Sequence, residues 1–258
     1  MGAMTHPSFP FLEHPRPIAF AHRGGSLEAE ENTMSAFAHA VGLGYSHVEL
    51  DVHATSDGAV VIHHDPTLQR MTGDPRAVAS LCAAELAGLR THGGAEIPHL
   101  ASLFEEHKAL CVNIECKSDA VVEPLVALIR QMGIIDRICV GSFKPERVAR
   151  LRAALGEGLC HSPAHAGVGR LWLAGWGVPV GHLAFPVVQV PTRFRGIAVV
   201  TPRFVRAAHA RGIQVHVWTV DERAEMVRLL NMGVDGLMTD RPTLLRQVLE
   251  KRGQWRGA

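Results

Sequence analysis

The sequence predicts an α/β protein built as a TIM-like (β/α)8 barrel with a small insertion after the segment that contains His64. The chain has 258 residues, 47% of them hydrophobic, and one barrel of this type takes about 250 residues. Four times, an amphipathic helical run ends at glycine and is followed by a short, β-branched apolar run. Alternation of helices and strands favours a parallel sheet. We therefore expect one barrel domain, residues 18–258, after an N-terminal extension of residues 1–17.

The four repeats show the same signals in the same order. Glycine just past a helix end fits the left-handed C-cap conformation, and short apolar runs fit strands that are buried on both faces. The predicted pairs of helix and strand are Thr33–Val41 with Val48–Val52, Val121–Met132 with Ile138–Gly141, Pro202–Arg211 with Val215–Val220, and Glu222–Met232 with Gly236–Thr239. These pairs supply half of the strands that a closed barrel requires.

Five further apolar runs also have the composition of strands: Ile18–Ala21, Val60–Ile62, Leu110–Ile114, Gly158–His161 and Val187–Val190. The candidates exceed the eight positions of the barrel by one. We expect the extra run to be Val60–Ile62 or Gly158–His161, because neither is flanked by a convincing helix on both sides.

Two segments interrupt the alternation. Residues 66–98 are the predicted insertion over the barrel mouth, with a helix near Leu81–Leu89. Residues 161–181 are rich in Gly, Ala and Trp, and within them Leu171–Trp176 favours a short helix. Neither segment has the length or composition of a linker between domains.

The charge balance argues against a nucleic-acid ligand. The chain has 26 Lys and Arg against 25 Asp and Glu, a formal net charge of +1, and so gives little long-range attraction for a polyanion. No stretch approaches the ~20 apolar residues of a membrane span, and residues 1–17 lack the apolar core of a secretory signal. We expect a cytoplasmic protein with a small-molecule substrate, and the sequence leaves the oligomeric state open.

The five cysteines are expected to be reduced and packed. Their number is odd and none forms a CxxC pair, which argues against zinc binding or redox exchange. Four of them fall in or beside apolar runs, where free cysteine packs as a small hydrophobic residue.

Carboxylates interrupt two of the predicted strands. Glu49 and Asp51 are two residues apart, so their side chains lie on one face, and Glu115 ends another apolar run. The C-terminal ends of barrel strands meet at the mouth, where such enzymes have their sites. Three carboxylates there predict one divalent cation, Mg²⁺ or Ca²⁺, because Zn²⁺ favours His or Cys ligands. The alternative for each acid is a structural salt bridge.

Basic side chains are predicted at the same mouth. His22 and Arg23 follow the first strand, and His64 follows Val60–Ile62. The planar guanidinium of arginine fits a phosphate, and histidine exchanges protons near neutral pH. One histidine could take the proton of an attacking oxygen while the other protonates the departing oxygen, so the set suits cleavage of a phosphate diester. An isolated histidine, by contrast, is more often a packed polar side chain without a catalytic role.

The whole pattern resembles the glycerophosphodiester phosphodiesterase family of PLC-like barrel enzymes. The family pattern of HR, ExD and a later H corresponds here to His22-Arg23, Glu49-Leu50-Asp51 and His64. Further phrases match in family order between about Ile18 and Pro242: Glu31-Asn32-Thr33, Thr55-Ser56-Asp57-Gly58, Asn113-Ile114-Glu115-Cys116-Lys117, Gly141-Ser142-Phe143, Val217-Trp218-Thr219-Val220 and Gly233 to Asp240.

The resemblance implies metal-dependent hydrolysis of glycerophosphodiesters to glycerol 3-phosphate and an alcohol. It also implies a role for each matched residue. The metal would be held by Glu49, Asp51 and Glu115, the general acid and base would be His22 and His64, the phosphate would be held by Arg23 and Lys117, and the alcohol side of the pocket would be lined by Trp218.

Two positions need comment. His63 and His64 are neighbours and point to opposite sides of a strand, and we choose His64 because Asp65 follows it as in the family pattern. Glu30 stands where the family has proline, which removes no catalytic group.

Other functions remain open at this stage. A lysophospholipase D-like or sphingomyelinase D-like phosphodiesterase needs an apolar path for an acyl chain, and Leu171–Trp176 is the one candidate segment. A non-catalytic barrel that binds a phosphorylated ligand would be favoured if a motif residue were missing. The identity of the alcohol, the choice of cation, and attack by water or by the substrate's own hydroxyl are not determined by the sequence.

Overall fold

The computed structural model of the protein describes residues 8–257 and contains a nearly closed parallel barrel. The strands are β1 (Ile18–His22), β2 (His47–Ala54), β3 (Val60–Ile62), β4 (Cys111–Cys116), β5 (Ile138–Gly141), β6 (Cys160–His161), β7 (Val187–Pro191), β8 (Arg193–Phe194), β9 (Ile197–Ala198), β10 (Gln214–Trp218) and β11 (Gly236–Thr239). The barrel wall has the order β6–β5–β4–β2–β1–β11–β10–β7, and every neighbouring pair in it is parallel. The predicted fold class is confirmed.

A side chain joins the two ends of this sheet. Within the part of the chain that the structure describes, no backbone ladder pairs β6 with β7. Ser162, just after β6, donates its amide to the carbonyl of Val140, at 3.0 Å. Its hydroxyl accepts the amide hydrogen of Gln189 in β7, also at 3.0 Å. The backbone donors at this seam are therefore satisfied although the ladder is interrupted.

The ninth candidate strand is β3. It pairs antiparallel with the end of β2, through Val52 and Ile62, and lies outside the parallel order. The second candidate for the extra run, Gly158–His161, contains β6, which is part of the wall. Only two of its residues pair with β5, so it is the shortest strand of the barrel.

The helices are α1 (Met34–Gly42), α2 (Gln69–Thr72), α3 (Ala83–Ala87), α4 (Leu100–Glu106), α5 (Val122–Met132), α6 (Pro145–Leu155), α7 (His165–Ala174), α8 (Pro202–His209), α9 (Arg223–Met232) and α10 (Pro242–Lys251). The four glycine-terminated predictions correspond to α1, α5, α8 and α9. The glycines that follow α5 and α9, Gly133 and Gly233, are left-handed, with φ of 62° and 87°. These two helices therefore end by the predicted C-cap.

Residues of the predicted N-terminal extension close the bottom of the barrel. Phe11 packs against Phe20 of β1 and His47 of β2, with ring centroids 6.1 Å and 5.0 Å apart. Three buried cysteines belong to the same cluster: Cys111, Cys139 and Cys160. All five cysteines are free thiols, as predicted.

The insertion packs as a small separate unit beside β3. Five of its side chains share a buried cluster with Val61 of β3: Leu68, Val78, Leu81, Leu86 and Ile97. The predicted helix at Leu81–Leu89 is present as α3. Among the described residues, no helix is long and apolar enough to cross a membrane.

Candidate active site

Strand register brings the predicted carboxylates and His22 to one end of the barrel. His22 of β1 is the register partner of Glu49 of β2. Asp51 of β2 is the partner of Glu115 of β4. Because the strands are parallel and end at the same rim, residues far apart in sequence lie side by side at the mouth.

Glu49, Asp51 and Glu115 form a compact group of acids. Each offers one carboxylate oxygen, and these oxygens lie within 4.8 Å of one another. Burial, together with the carboxylates of Asp51 and Glu115, raises the pKa of Glu49 to about 7 against the opposing effect of His22. Burial also tends to raise the pKa of Asp51, but Lys117 and Arg23 more than offset this and hold it below its usual range. The site therefore carries like charges in close contact.

This group fits a hard divalent cation. Lys117 Nζ lies 3.0 Å from Asp51 Oδ1 and 3.1 Å from Glu115 Oε2. Arg23 Nε lies 3.2 Å from Asp51 Oδ2. Glu49 is only 4% exposed; its Oε2 accepts a hydrogen bond from the amide of Arg23 at 3.3 Å and lies 3.6 Å from Nε2 of His22. The positively charged side chains of Lys117 and Arg23 thus face the three carboxylates. An all-oxygen donor set of this kind is the one that Mg²⁺ and Ca²⁺ prefer.

His22 is oriented by a residue to which sequence reasoning gave no role. Its Nδ1 lies 2.7 Å from Oδ1 of Asp240, which follows β11. Asp240 is held in turn, because its amide donates to Oδ1 of Asp221 at 2.7 Å. Burial lowers the pKa of His22, but the carboxylates of Glu49 and Asp240 more than offset this and raise it to about 9. The signal for Asp240 was an acid directly after a predicted strand.

The two neighbouring histidines have different surroundings. His64 lines the cavity at the mouth, and its Nδ1 is 2.6 Å from Oδ1 of Asp65. The other oxygen of Asp65 accepts a hydrogen bond from Nε of Arg70, at 2.6 Å. His63 is only 3% exposed and its Nε2 is 3.1 Å from the carbonyl of Thr67. Of the pair, only His64 faces the cavity.

Arg23 occupies a tight turn above the acids. Its φ is 51°, and Gly24 and Gly25 follow with φ of 83° and 104°. Glu31 holds one guanidinium nitrogen, Nη1, through a hydrogen bond of 3.1 Å. The Nε atom is buried against Asp51 Oδ2, at 3.2 Å, but the angle of this contact does not make a hydrogen bond. Arg23 also lines the cavity, and its planar guanidinium is suited to an anionic ligand there.

The cavity above these residues has a polar floor and an apolar wall. Its volume is about 590 Å³. Seven of the eight predicted site residues line it directly: His22, Arg23, Glu49, His64, Glu115, Lys117 and Trp218. Asp51 lies beneath them and is 1% exposed. The apolar wall includes Phe143, Val168, Trp172, Phe194, Ile197 and Val199.

Helix α7 forms one side of the apolar wall. It runs from His165 to Ala174, and so is longer and begins earlier than the predicted helix at Leu171–Trp176. Trp172 is fixed by a hydrogen bond from its Nε1 to the carbonyl of Ala198, at 3.1 Å. This bond joins α7 to the short β8–β9 hairpin. Together, the barrel and the residues at its mouth place the chain among the barrel phosphodiesterases.

Comparison with known proteins gives the same result. Residues 22–244 match the profile of the glycerophosphoryl diester phosphodiesterase family. A probable glycerophosphodiester phosphodiesterase 2 of Mycobacterium tuberculosis is 40% identical over 263 residues, covering 98% of each chain. A lysophospholipase D of Rattus norvegicus is 28% identical over 270 residues, which is 89% of this chain and 85% of that one.

Solved structures share the fold. A putative glycerophosphoryl diester phosphodiesterase of Silicibacter pomeroyi superposes with a TM-score of 0.81 at 26% identity, covering 96% of this chain and 100% of that one. The chain therefore belongs to the glycerophosphoryl diester phosphodiesterase family of enzymes. The resemblance and the enzyme class predicted from the sequence are confirmed.

Proposed function

We propose that the protein hydrolyses glycerophosphodiesters to glycerol 3-phosphate and an alcohol, with a divalent cation, Mg²⁺ or Ca²⁺, held by Glu49, Asp51 and Glu115. One observation carries the proposal. Two histidines, each bonded at Nδ1 to a carboxylate, line a single cavity together with the acidic group. Such a set can accept one proton and donate another across a phosphate group.

The phosphate would lie in the cavity, against the positively charged side chains of Arg23 and Lys117. Arg23 and Lys117 both line the cavity and would offset charge on the non-bridging oxygens. When bound, the cation would supply further electrostatic stabilisation of the same oxygens. Binding and charge stabilisation thus use the same atoms.

The histidines would move the protons. A carboxylate can only accept a hydrogen bond, so Asp240 keeps the proton of His22 on Nδ1 and leaves Nε2 as the nitrogen that exchanges a proton in the cavity. Asp65 orients His64 in the same way. One histidine removes the proton of the attacking oxygen and the other protonates the departing alcohol oxygen. No covalent intermediate with the protein is required.

Release of glycerol 3-phosphate tests the proposal. Glycerophosphocholine, glycerophosphoethanolamine and glycerophosphoglycerol are each incubated with purified protein, first with a chelator and then with Mg²⁺ or Ca²⁺ restored. We expect release that stops with chelator and returns with one of the cations. A His22→Ala variant with unchanged circular dichroism is the control for contaminating activity. Absence of release from all three substrates with either cation, by folded protein, would refute the proposal.

A second candidate is lysophospholipase D-like cleavage, and the apolar wall favours it. Val168, Trp172 and Ile197 provide a surface that an acyl chain can contact and that a glycerol or choline group does not need. Lysophosphatidylcholine is therefore tested as a competitor of glycerophosphocholine, above and below its micelle concentration. Val168→Asp is expected to abolish the competition while glycerophosphocholine is still hydrolysed. No competition in the wild-type protein excludes this candidate.

A further inference from the structure

One continuous part of the chain contains no acidic residue. Residues 158–220 contain six Arg and no Asp, Glu or Lys. Because the whole chain has a formal net charge of only +1, the rest of it is net negative. The net charge of the whole chain is therefore near zero although residues 158–220 are positive and the remaining residues are negative on balance. The positive part includes α7, the β8–β9 hairpin and α8, the elements beside the cavity.

Large exposed apolar side chains are concentrated in the same part of the protein. Trp176 is 58% exposed and Ile197 is 59% exposed. We call the following six residues the apolar collar: Phe143, Leu173, Trp176, Val178, Phe194 and Ile197. Five of the six lie in the acid-free part of the chain. Clustered exposed apolar residues of this size mark an interaction surface more often than scattered ones do.

The collar borders the mouth of the cavity. Phe143, Phe194 and Ile197 line the cavity and are also exposed to solvent. The His165 ring links two of them, with centroids 5.5 Å from Phe143 and 5.2 Å from Phe194. The Trp176 ring packs 5.6 Å from that of Trp172, which lines the cavity. The exposed surface and the substrate cavity are thus continuous.

Arginines accompany the collar without neutralising partners. The guanidinium of Arg203 lies 4.5 Å from the ring centroid of Trp176, and that of Arg195 lies 5.4 Å from that of Phe194. Within the described part of the chain, no ion pair is formed by Arg170, Arg193, Arg195, Arg203 or Arg206. The carboxylate of Glu225 in α9 interacts electrostatically with Arg193, but it already accepts a hydrogen bond from Arg228 at 2.6 Å. The collar is therefore apolar and positively charged.

We infer that the apolar collar docks on a lipid surface that carries anionic head groups, with the mouth of the cavity turned towards that surface. Aromatic rings with nearby arginines are the side chains that favour the boundary between head groups and acyl chains. Each arginine near an anionic surface adds to the attraction. This inference concerns binding and does not depend on the proposed function.

A second copy of the chain fits this surface less well. Most dimers are twofold, so the same patch would face itself. Arginines such as Arg195 and Arg203 would then meet the same arginines of the other copy without an acid between them. Like charges across an interface oppose association. An anionic surface has the complementary charge, and for this reason we commit to it.

Vesicle binding tests the inference. The full-length protein is sedimented with vesicles of phosphatidylcholine alone and with vesicles that contain equal parts of phosphatidylglycerol and phosphatidylcholine. We expect binding to the anionic vesicles, with a blue shift of tryptophan fluorescence, and at least about tenfold weaker binding to the neutral ones. High salt should weaken the binding because it screens the charges. Equal binding to both vesicles, or binding to neither, would overturn the inference.

Matched variants locate the surface. Leu173→Ser with Trp176→Ser removes exposed apolar side chains, and the control is Leu27→Ser, which is 59% exposed in an acidic part of the chain. We expect the first variant to lose at least about tenfold in vesicle binding and the control to lose little. None of these side chains lines the cavity, so hydrolysis of soluble glycerophosphocholine should stay unchanged. Equal losses in variant and control would refute the assignment.

Charge reversal gives an independent test. Arg195→Glu with Arg206→Glu is compared with Lys251→Glu with Arg256→Glu, which makes the same change of charge outside the acid-free part. Only the first pair should weaken binding to anionic vesicles, again by at least about tenfold. Sedimentation velocity without lipid is measured for both pairs. If the wild-type protein is a dimer and the variant with Arg195→Glu and Arg206→Glu is a monomer, the collar binds a second copy of the chain and not a lipid surface.

Discussion

Nδ1 of His22 lies 2.7 Å from Oδ1 of Asp240, and this contact fixes which nitrogen of His22 faces the cavity. The two residues are 218 positions apart in sequence. His22 is the last residue of β1 and Asp240 directly follows β11, and the pairing of these two strands brings them together. Asp240 therefore positions His22. The sequence identified His22 as a catalytic candidate but indicated no role for Asp240.

Asp240→Asn should lower kcat by roughly a hundredfold, in the range expected for impairing a general acid or base. The amide can still accept the Nδ1 hydrogen, but of the two carboxylate charges that raise the pKa of His22, those of Glu49 and Asp240, the second is removed. The histidine limb of the pH–rate profile should therefore move to lower pH. Asp240→Glu keeps the charge and should restore part of kcat. A loss of kcat with an unmoved pH profile would indicate a structural role instead.

Separate substitutions of His63 and His64 test which of the two neighbouring histidines acts in catalysis. His64→Ala should lower kcat by about 10² to 10⁴, because a general acid or base is lost. His63→Gln should keep most of the activity, since its ring contacts the carbonyl of Thr67 and not the cavity. The reverse result, with activity lost in the His63 variant and retained in the His64 variant, would show that our choice is wrong.

Glu49→Gln should weaken binding of Mg²⁺ or Ca²⁺ by more than about tenfold, because a ligand contributes at least as much as the groups that orient it. Titration calorimetry measures the affinity, and the cation should raise the melting temperature of the wild-type protein more than that of the variant. Glu96→Gln is the control, since that side chain is 70% exposed and pairs with Arg90 away from the carboxylate group. Equal affinities in variant and control would remove Glu49 from the metal site.

Comparison of Gly24 with Gly58 distinguishes the free-energy cost of backbone strain from the cost of steric overlap in the turn after β1. Gly24 and Gly58 have nearly the same φ, 83° and 85°. A Cβ at Gly24 would lie 2.6 Å from the Cβ of Ala36, whereas a Cβ at Gly58 would meet nothing within 4 Å. Gly58→Ala should cost about 1 kcal/mol of unfolding free energy, and Gly24→Ala about 1–3 kcal/mol more. Denaturant unfolding measures both; equal losses would show that the turn relaxes.

The buried His47 ring should make the protein less stable in mild acid. Burial lowers its pKa to about 3 from the ordinary value of 6.5. The unfolded chain therefore binds the proton first, and the free energy of unfolding falls as the pH decreases from 6.5 towards 3. At pH 5 the loss from this residue is on the order of 2 kcal/mol. His47→Gln should flatten the pH dependence and the exposed His92→Gln should not.

The sequence predicted the wall of the barrel and much of its mouth because both depend on local pattern. Glu49 and Asp51 stand out as charges inside an apolar strand, and parallel pairing brings them to Glu115 without further information. The contact of Asp240 with His22 depends on closure of the barrel by β1 and β11, which no local pattern specifies. Helix α7 was only partly predicted, because its glycines weaken helix propensity and tertiary contacts such as that of Trp172 stabilise it.

The seam between β6 and β7 affects how the cavity can change over evolution. Elsewhere in the wall, repeated backbone hydrogen bonds set the spacing of the strands, so a substitution that moves one strand breaks several bonds. At the seam the contact rests on the Ser162 hydroxyl and the amide of Gln189, and α7 follows directly. The width of the cavity on this side is therefore governed by side-chain volume. Variants can acquire a wider or narrower cavity here while the ladder that supports the acidic group stays intact.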